Sequence, residues 1–346
     1  MKPLFCAMVI LAISCFILAP CPLNICFAAE QTITIRVGGL MPKDHPHSKA
    51  LYRLSGIIKE RTDGRIKMIY YPHSELGSCV EQISAVRMGT QDMWNGANEQ
   101  MARLMPMFNV LSPAFAYEGK EAKLAVLNSP FFFMVREELS KRFDLVMLTW
   151  NWFRGYRNLM TLKPVKTIDD LKGIKLRTVR SPAKLAAWKK FGASPIPTAA
   201  AGIYTGLKEK AIEGCELDLY SIHSYHYDEI CNYCTLTQHE PVYASLVINK
   251  KLWNSIPKRD REIIFDAVNE TSRGIERTWE KEIAKIMDIM RRKQKVTFIP
   301  LSPRERSRWL KIGDEVLHEL EVTEKWWPQG TVERIRSKDP RFFKPE

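Results

Sequence analysis

The stretch ITIRV-GGLMPKDHPH-SKALYRLSGIIKER-TDG-RIKMIYY, residues 33–71, reads as strand, helix, strand. Ile33, Ile35 and Val37 alternate with Thr34 and Arg36, the period of two expected of a strand with one buried face. Ser48 to Arg61 carries its apolar residues at helical spacing, and Asp63-Gly64 turns the chain into a second strand over Arg65 to Tyr71. This opening is a βαβ unit, which places the chain in the α/β class, with mostly parallel sheets.

The alternation continues outward. Glu81 to Met88 predicts a short helix ending at Gly89, Asp92 to Trp94 begins a strand, and Leu145 to Trp152 reads as a buried one. Ile174 to Thr178 is strand-like, Ala183 to Phe191 helical, and Ala244 to Asn249 again a strand. From Lys258 to Gln294 the character changes. Ile263, Ile264, Ala267, Val268, Ile275, Trp279, Ile283, Ile286 and Met290 form one stripe, predicting a single helix that could kink at Gly274. At about 1.5 Å per residue it spans roughly 50 Å, enough to cross two lobes; a dimerising coiled coil is the competing use of the stripe. A strand follows over Val296 to Ile299, then a helix with Ser302 as N-cap, Pro303 in the first turn and Glu305 closing a capping box.

With 346 residues the chain exceeds the usual single core, so two domains around a cleft are expected. Residues 3–29 carry no charge and follow Lys2; Met8 to Leu18 is an apolar run of signal-peptide length, Pro20 and Pro22 interrupt it, and small residues stand at Ala28 and Ala29. Residues 1–29 therefore read as an export signal. A retained anchor is the alternative, but the prolines shorten the span below the ~20 residues a crossing needs. The expected location is the periplasm.

The formal charge of +13, from 52 Lys and Arg against 39 Asp and Glu, draws in anions. The basic residues are spread along the chain, with dense clusters at Lys189-Lys190 and Arg291-Arg292-Lys293, so no nucleic-acid partner is expected. Cys79, Cys215, Cys231 and Cys234 lie beyond the signal; Cys231 and Cys234 form an isolated CxxC, better read as a structural disulfide or as inert thiols than as a redox or zinc site. His45 and His47 flank Pro46, while His223 and His226 precede Asp228 and Glu229 at a spacing that fits no established metal site. The chain lacks GxSxG, HExxH, GxxxxGK, GxGxxG and a calcium loop, so neither catalysis, nor a cofactor, nor a metal is expected.

A series of short stretches then runs in order along the chain: PHSELG at 72–77, GTQDM at 89–93, GYR at 155–157, DLKGIKLR at 170–177, GASPIP at 192–197, YTGL at 204–207, IEGCE at 212–216, and VIN at 247–249 before Leu252-Trp253. In these the sequence resembles the periplasmic solute-binding subunits of TRAP transporters, the DctP-like family. The resemblance implies two α/β lobes joined by hinge strands and a long lobe-spanning helix, closing on a small organic anion. It implies residues 30–154 and 243–282 for the first lobe, and 155–242 with 283–346 for the second and the C-terminal helices. It also implies delivery to TRAP membrane permease subunits; a homodimer through the long helix is the option that the coiled-coil use of its stripe leaves open. A periplasmic sensor or enzyme module on the same fold is the alternative function.

By the same resemblance, Arg177 clamps the ligand carboxylate and Arg157 assists, with Arg154 three positions earlier as its rival. A guanidinium suits the task, offering a planar fork of donors that stays charged at any relevant pH. Glu216 is a candidate to contact ligand or to orient an arginine, and Asn98 to contact ligand. Trp94, Trp150 and Trp152 are candidates for the pocket wall. In Ala199-Ala200-Ala201-Gly202-Ile203-Tyr204 the acidic residue that the family pattern places two before the tyrosine is replaced, implying a small subsite. Leu217-Asp218 and Ala97-Asn98 depart from the pattern of sialic-acid binders, which argues against that ligand.

Overall fold

The computed structural model describes residues 32–337, so the proposed export signal at 1–29 lies outside the described residues. The opening unit is β1 (Ile33–Gly39), α1 (Pro46–Arg61) and β2 (Ile66–Tyr71), followed by α2 (Cys79–Met88) and β3 (Met93–Ala97). Two helices, α3 (Gly119–Leu127) and α4 (Pro130–Phe143), lead into β4 (Leu145–Thr161). Next come β5 (Lys175–Thr178), α5 (Pro182–Lys190), β6 (Ser194–Pro197), α6 (Ile203–Lys208), β7 (Gly214–Asp218) and α7 (Leu219–Ser224). The chain closes with β8 (Tyr233–Asn249), α8 (Lys250–Ser255), α9 (Lys258–Arg292), β9 (Thr297–Pro300), α10 (Pro303–Glu324) and α11 (Thr331–Ser337).

Among the described residues the strands form one sheet in the order β2-β1-β3-β8-β4-β7-β5-β6, with β9 beside β8. β1 pairs in parallel with β2 and β3, β5 with β6 and β7, and β8 with β9. The antiparallel pairs all involve β4 or β8. These two strands, 17 residues each, run side by side and join the wing of β1, β2 and β3 to the wing of β5, β6 and β7. Against the stretches the sequence pattern indicated, β4 is about twice as long and β8 nearly three times. Their residues are buried on both faces, which erases the period of two. The register between them also shifts repeatedly, as at Gly155, whose φ of 108° few side chains tolerate.

Each wing has its own core. Ile35, Val37, Leu51 and Ile58 pack with Ile264 and Val268 of α9 in one, and Cys215, Ile222, Tyr227 and Val296 pack with Met290 of the same helix in the other. A third cluster, including Phe115, Trp188, Phe191 and Trp309, joins the two wings. The 35-residue α9 runs unbroken through Gly274, and its apolar stripe faces its own sheet. That burial leaves the coiled-coil use of the stripe without a face. Ser302 caps α10 as expected, but the Glu305 carboxylate accepts from the backbone N–H of Ile168 at 2.9 Å and pairs with Arg308 instead of closing a capping box. Complete capping boxes are found between Ser78 and Glu81 at α2 and between Thr167 and Asp170 in the turn before β5. No helix among the described residues is long and apolar enough to cross a membrane.

Candidate functional site

In a mixed α/β sheet, ligands collect where the carboxyl ends of parallel strands meet, because loops there are free to vary around a fixed frame. Arg177 is at that end of β5, one residue before Thr178, and register sets it opposite Cys215 of β7. Its side chain is 3% exposed. The Nε–H donates to the carbonyl of Thr198 at 2.8 Å, which fixes the plane of the guanidinium. Both terminal nitrogens are without a protein partner among the described residues. Burial lowers the affinity of Arg177 for its proton, with Arg157 adding to the effect and Glu216 opposing it. Thr198 opens the Ala199-Ala200-Ala201 loop, so the small-residue segment lies beside this arginine.

Arg157, also 3% exposed, behaves differently. Its Nε donates to the Glu216 carboxylate and one terminal nitrogen to the Glu216 backbone carbonyl. The other carboxylate oxygen of Glu216 accepts from Thr178 Oγ1 at 2.7 Å, and His239 Nε2 lies 3.3 Å from the first. Burial alone would favour the protonated acid, yet Arg157 and Lys184 hold Glu216 well below the usual carboxylate range. His239 is kept neutral by burial against the pull of Glu216. Glu240 continues the network: Lys184 donates to one oxygen and Lys123 to the other at 3.2 Å, with Arg157 3.8 Å away. Lys123, Lys184, Arg157 and Arg177 face Glu216, Glu240 and Glu99, all seven buried. The cluster therefore has one cation more than it has carboxylates, and an uncompensated buried charge is costly until an anion arrives.

Of the expected ligand residues, the structure brings Arg177, Arg157 and Glu216 together. Asn98 is buried at the end of β3; its Nδ2 donates to the Trp150 carbonyl at 2.8 Å and its Oδ1 has no partner. The next residue, Glu99, lines a cavity of about 240 Å³ with Arg103, Asn109, Arg180 and Ser181. Trp94 and Trp152 do not line the Glu99 cavity. Both are fully buried in core clusters, Trp152 donating to Ser272 of α9 at 2.7 Å. Trp150 is stacked under Arg136, whose guanidinium carbon is 3.5 Å from the ring centre. Large aromatic rings fill cores as readily as pockets, and residue type alone does not separate the two uses.

Arg154, the rival of Arg157, faces a separate carboxylate: its Nε donates to Asp218 at 3.1 Å. Asp218 also caps α7 through Ser221. Sequence reading missed Lys123, Lys184, His239 and Glu240. The four stand on three elements, and neither spacing nor motif ties them. The other candidates separate plainly. His223 pairs with Asp228 at 2.7 Å and His226 with Glu229 at 2.9 Å, two pairs and not one cluster. Cys215, Cys231 and Cys234 are buried free thiols, their proton affinity raised by burial.

The sequence profile of the bacterial extracellular solute-binding protein family 7, DctP, matches residues 37–323. The 2,3-diketo-L-gulonate-binding periplasmic protein YiaO of Escherichia coli is 30% identical over 243 residues, 70% of this chain and 74% of that protein. Among solved structures, a sugar acid binding protein of Advenella mimigardefordensis in complex with galactonate superposes with a TM-score of 0.81 at 21% identity, over 89% of this chain and 99% of that one. A TRAP periplasmic solute-binding protein of Xanthobacter autotrophicus with bound β-D-galacturonate gives 0.78 at 22% identity, over 88% and 98%.

Proposed function

The chain belongs to the DctP family of bacterial extracellular solute-binding proteins, the binding subunits of TRAP transporters, and we propose that it captures a sugar acid at Arg177 and hands it to the membrane permease subunits of such a transporter. The observation that carries the ligand class is the Arg177 fork: a buried guanidinium pinned through Nε, with both terminal nitrogens open, in a cluster one anion short. A carboxylate supplies the missing charge and matches the fork in two parallel hydrogen bonds. The hydroxyls of a uronate or aldonate need polar partners, which Asn98 Oδ1 and Glu99 Oε2 supply as buried acceptors lacking protein donors. The sugar acids held by the two solved relatives support the same class.

In this reading Arg177 clamps the carboxylate. Arg157 and Glu216 hold the frame that aims it, Glu216 through Thr178. Trp94 and Trp152 have no contact role. The two lobes are residues 30–154 with 243–282, and 155–242 with 283–346; the separate cores of the wings support this division. The protein works in the periplasm as a binder and not an enzyme. Calorimetry with D-galacturonate and D-galactonate tests the reading. Saturable binding of either by wild type, lost in Arg177→Ala, is the expected result; binding of neither, or undiminished binding by Arg177→Ala, refutes it.

A further inference from the structure

A second cavity, of about 310 Å³, opens where the start of α1, strand β4, Tyr220 of α7 and the middle of α9 meet. It shares no lining residue with the Glu99 cavity and includes none of Arg157, Arg177 and Glu216. Four of its residues bear buried polar atoms with no partner among the described residues: His45 Nε2, His47 Nδ1, the Tyr220 hydroxyl and Trp279 Nε1. His45, His47 and Tyr220 are 1%, 2% and 4% exposed. The rings cluster, with centroids 5.5 Å apart for His45 and His47 and 5.7 Å for His45 and Tyr220.

The hydrogen bonds these histidines do make fix what is left over. His47 Nε2 lies 3.1 Å from the Phe153 carbonyl, which only accepts, so Nε2 carries the proton and Nδ1 presents a lone pair. His45 Nδ1 accepts the backbone N–H of His47 at 3.1 Å, so Nε2 is the protonated nitrogen and a donor. Asp218, 3.9 Å from it, is too distant for a hydrogen bond. The cavity therefore offers a donor at His45, an acceptor at His47 and a hydroxyl at Tyr220. Around them stand Lys49, Arg53, Arg154 and Lys285 against the one lining carboxylate, Glu282. Arg154 is paired with Asp218; Lys49, Arg53 and Lys285 form no ion pair among the described residues.

We propose that this cavity is a second ligand site, separate from the Arg177 cleft, for a small carboxylate that carries a hydroxyl group. Its carboxylate meets the cations and the His45 donor, and its hydroxyl donates to His47 Nδ1. Water alone is a poorer match, since the space equals the liquid volume of roughly ten waters and its rim has a net positive field. Because α1, α7 and α9 all contribute walls, an occupant there touches elements packed on both wings of the sheet.

Glycerate is the probe, titrated calorimetrically into wild type, Arg177→Ala, Tyr220→Phe and Lys285→Glu. Lys285 is exposed on α9, so Lys285→Glu keeps the fold, which far-ultraviolet circular dichroism checks. Arg177→Ala removes whatever glycerate the cleft takes and is expected to retain one glycerate site, the one that Lys285→Glu and Tyr220→Phe weaken about tenfold. Absence of binding to folded wild type at tens of millimolar glycerate overturns the proposal. So does binding that disappears in Arg177→Ala and persists in Lys285→Glu, which would locate glycerate in the cleft.

Discussion

Arg177 and Arg157 are the same residue type, equally buried, yet their hydrogen bonds assign them different work. Removing Arg177 takes away one partner of a desolvated charge pair, so Arg177→Ala should weaken sugar-acid binding by roughly 30-fold to several thousand-fold, equivalent to ~2 to 5 kcal/mol. Arg177→Lys should recover only part of it, because an ammonium keeps the charge and loses the fork. Arg157→Ala should act on stability first: it leaves Glu216 buried without its main counter-ion, a loss of about 3 to 5 kcal/mol that a depressed Tm reports. Arg180, three positions after Arg177, lines the Glu99 cavity, so its removal should also affect binding. His47 supplies a pH signature. Burial, with lesser contributions from His45 and Arg154, lowers its pKa to about 3. The unfolded chain takes up this proton near pH 6.5 and the folded one near 3, so the contribution is complete above 6.5 and declines as pH falls through that window. Melting between pH 8 and 5 should show Tm falling below 6.5, and His47→Gln should flatten that slope.

Among elements, those with one wet and one dry face were legible: β1, α1, β2 and α9 appear where periodicity put them, within a few residues. The long strands were legible only at their ends, because a strand covered on both faces has no alternation to read. The candidate site followed the same rule. Arg177 and Arg157 stood in recognisable stretches, whereas Glu240 and Lys184 lie 56 positions apart and meet only through the fold. Gly155 shows how tightly the long strands are drawn. With φ at 108°, a Cβ there would come within 3.0 Å of Trp279 Nε1 on α9. Gly155→Ala should therefore cost about 1 to 3 kcal/mol and lower Tm, by combining backbone strain with displacement of that indole. A Tm within a degree of wild type would show that β4 and α9 have slack at their crossing.

For the whole molecule, two wings bridged by β4, β8 and α9 predict hinge closure around the ligand. Small-angle scattering should show the radius of gyration falling when a verified sugar acid saturates the protein; an unchanged radius would exclude closure. The bridging strands have another effect, on the order in which the molecule can come into being. A nascent chain emerges amino end first, and β3 finds its second neighbour only when β8, residues 233–249, has emerged. The first wing also waits for α9, which completes its core after residue 258. For roughly its first two-thirds the growing polypeptide is thus an open sheet edge with an uncovered apolar face, a substrate for chaperones and proteases. Assembly is governed by the late arrival of its middle strand, so a chain interrupted before residue 233 should yield no folded half.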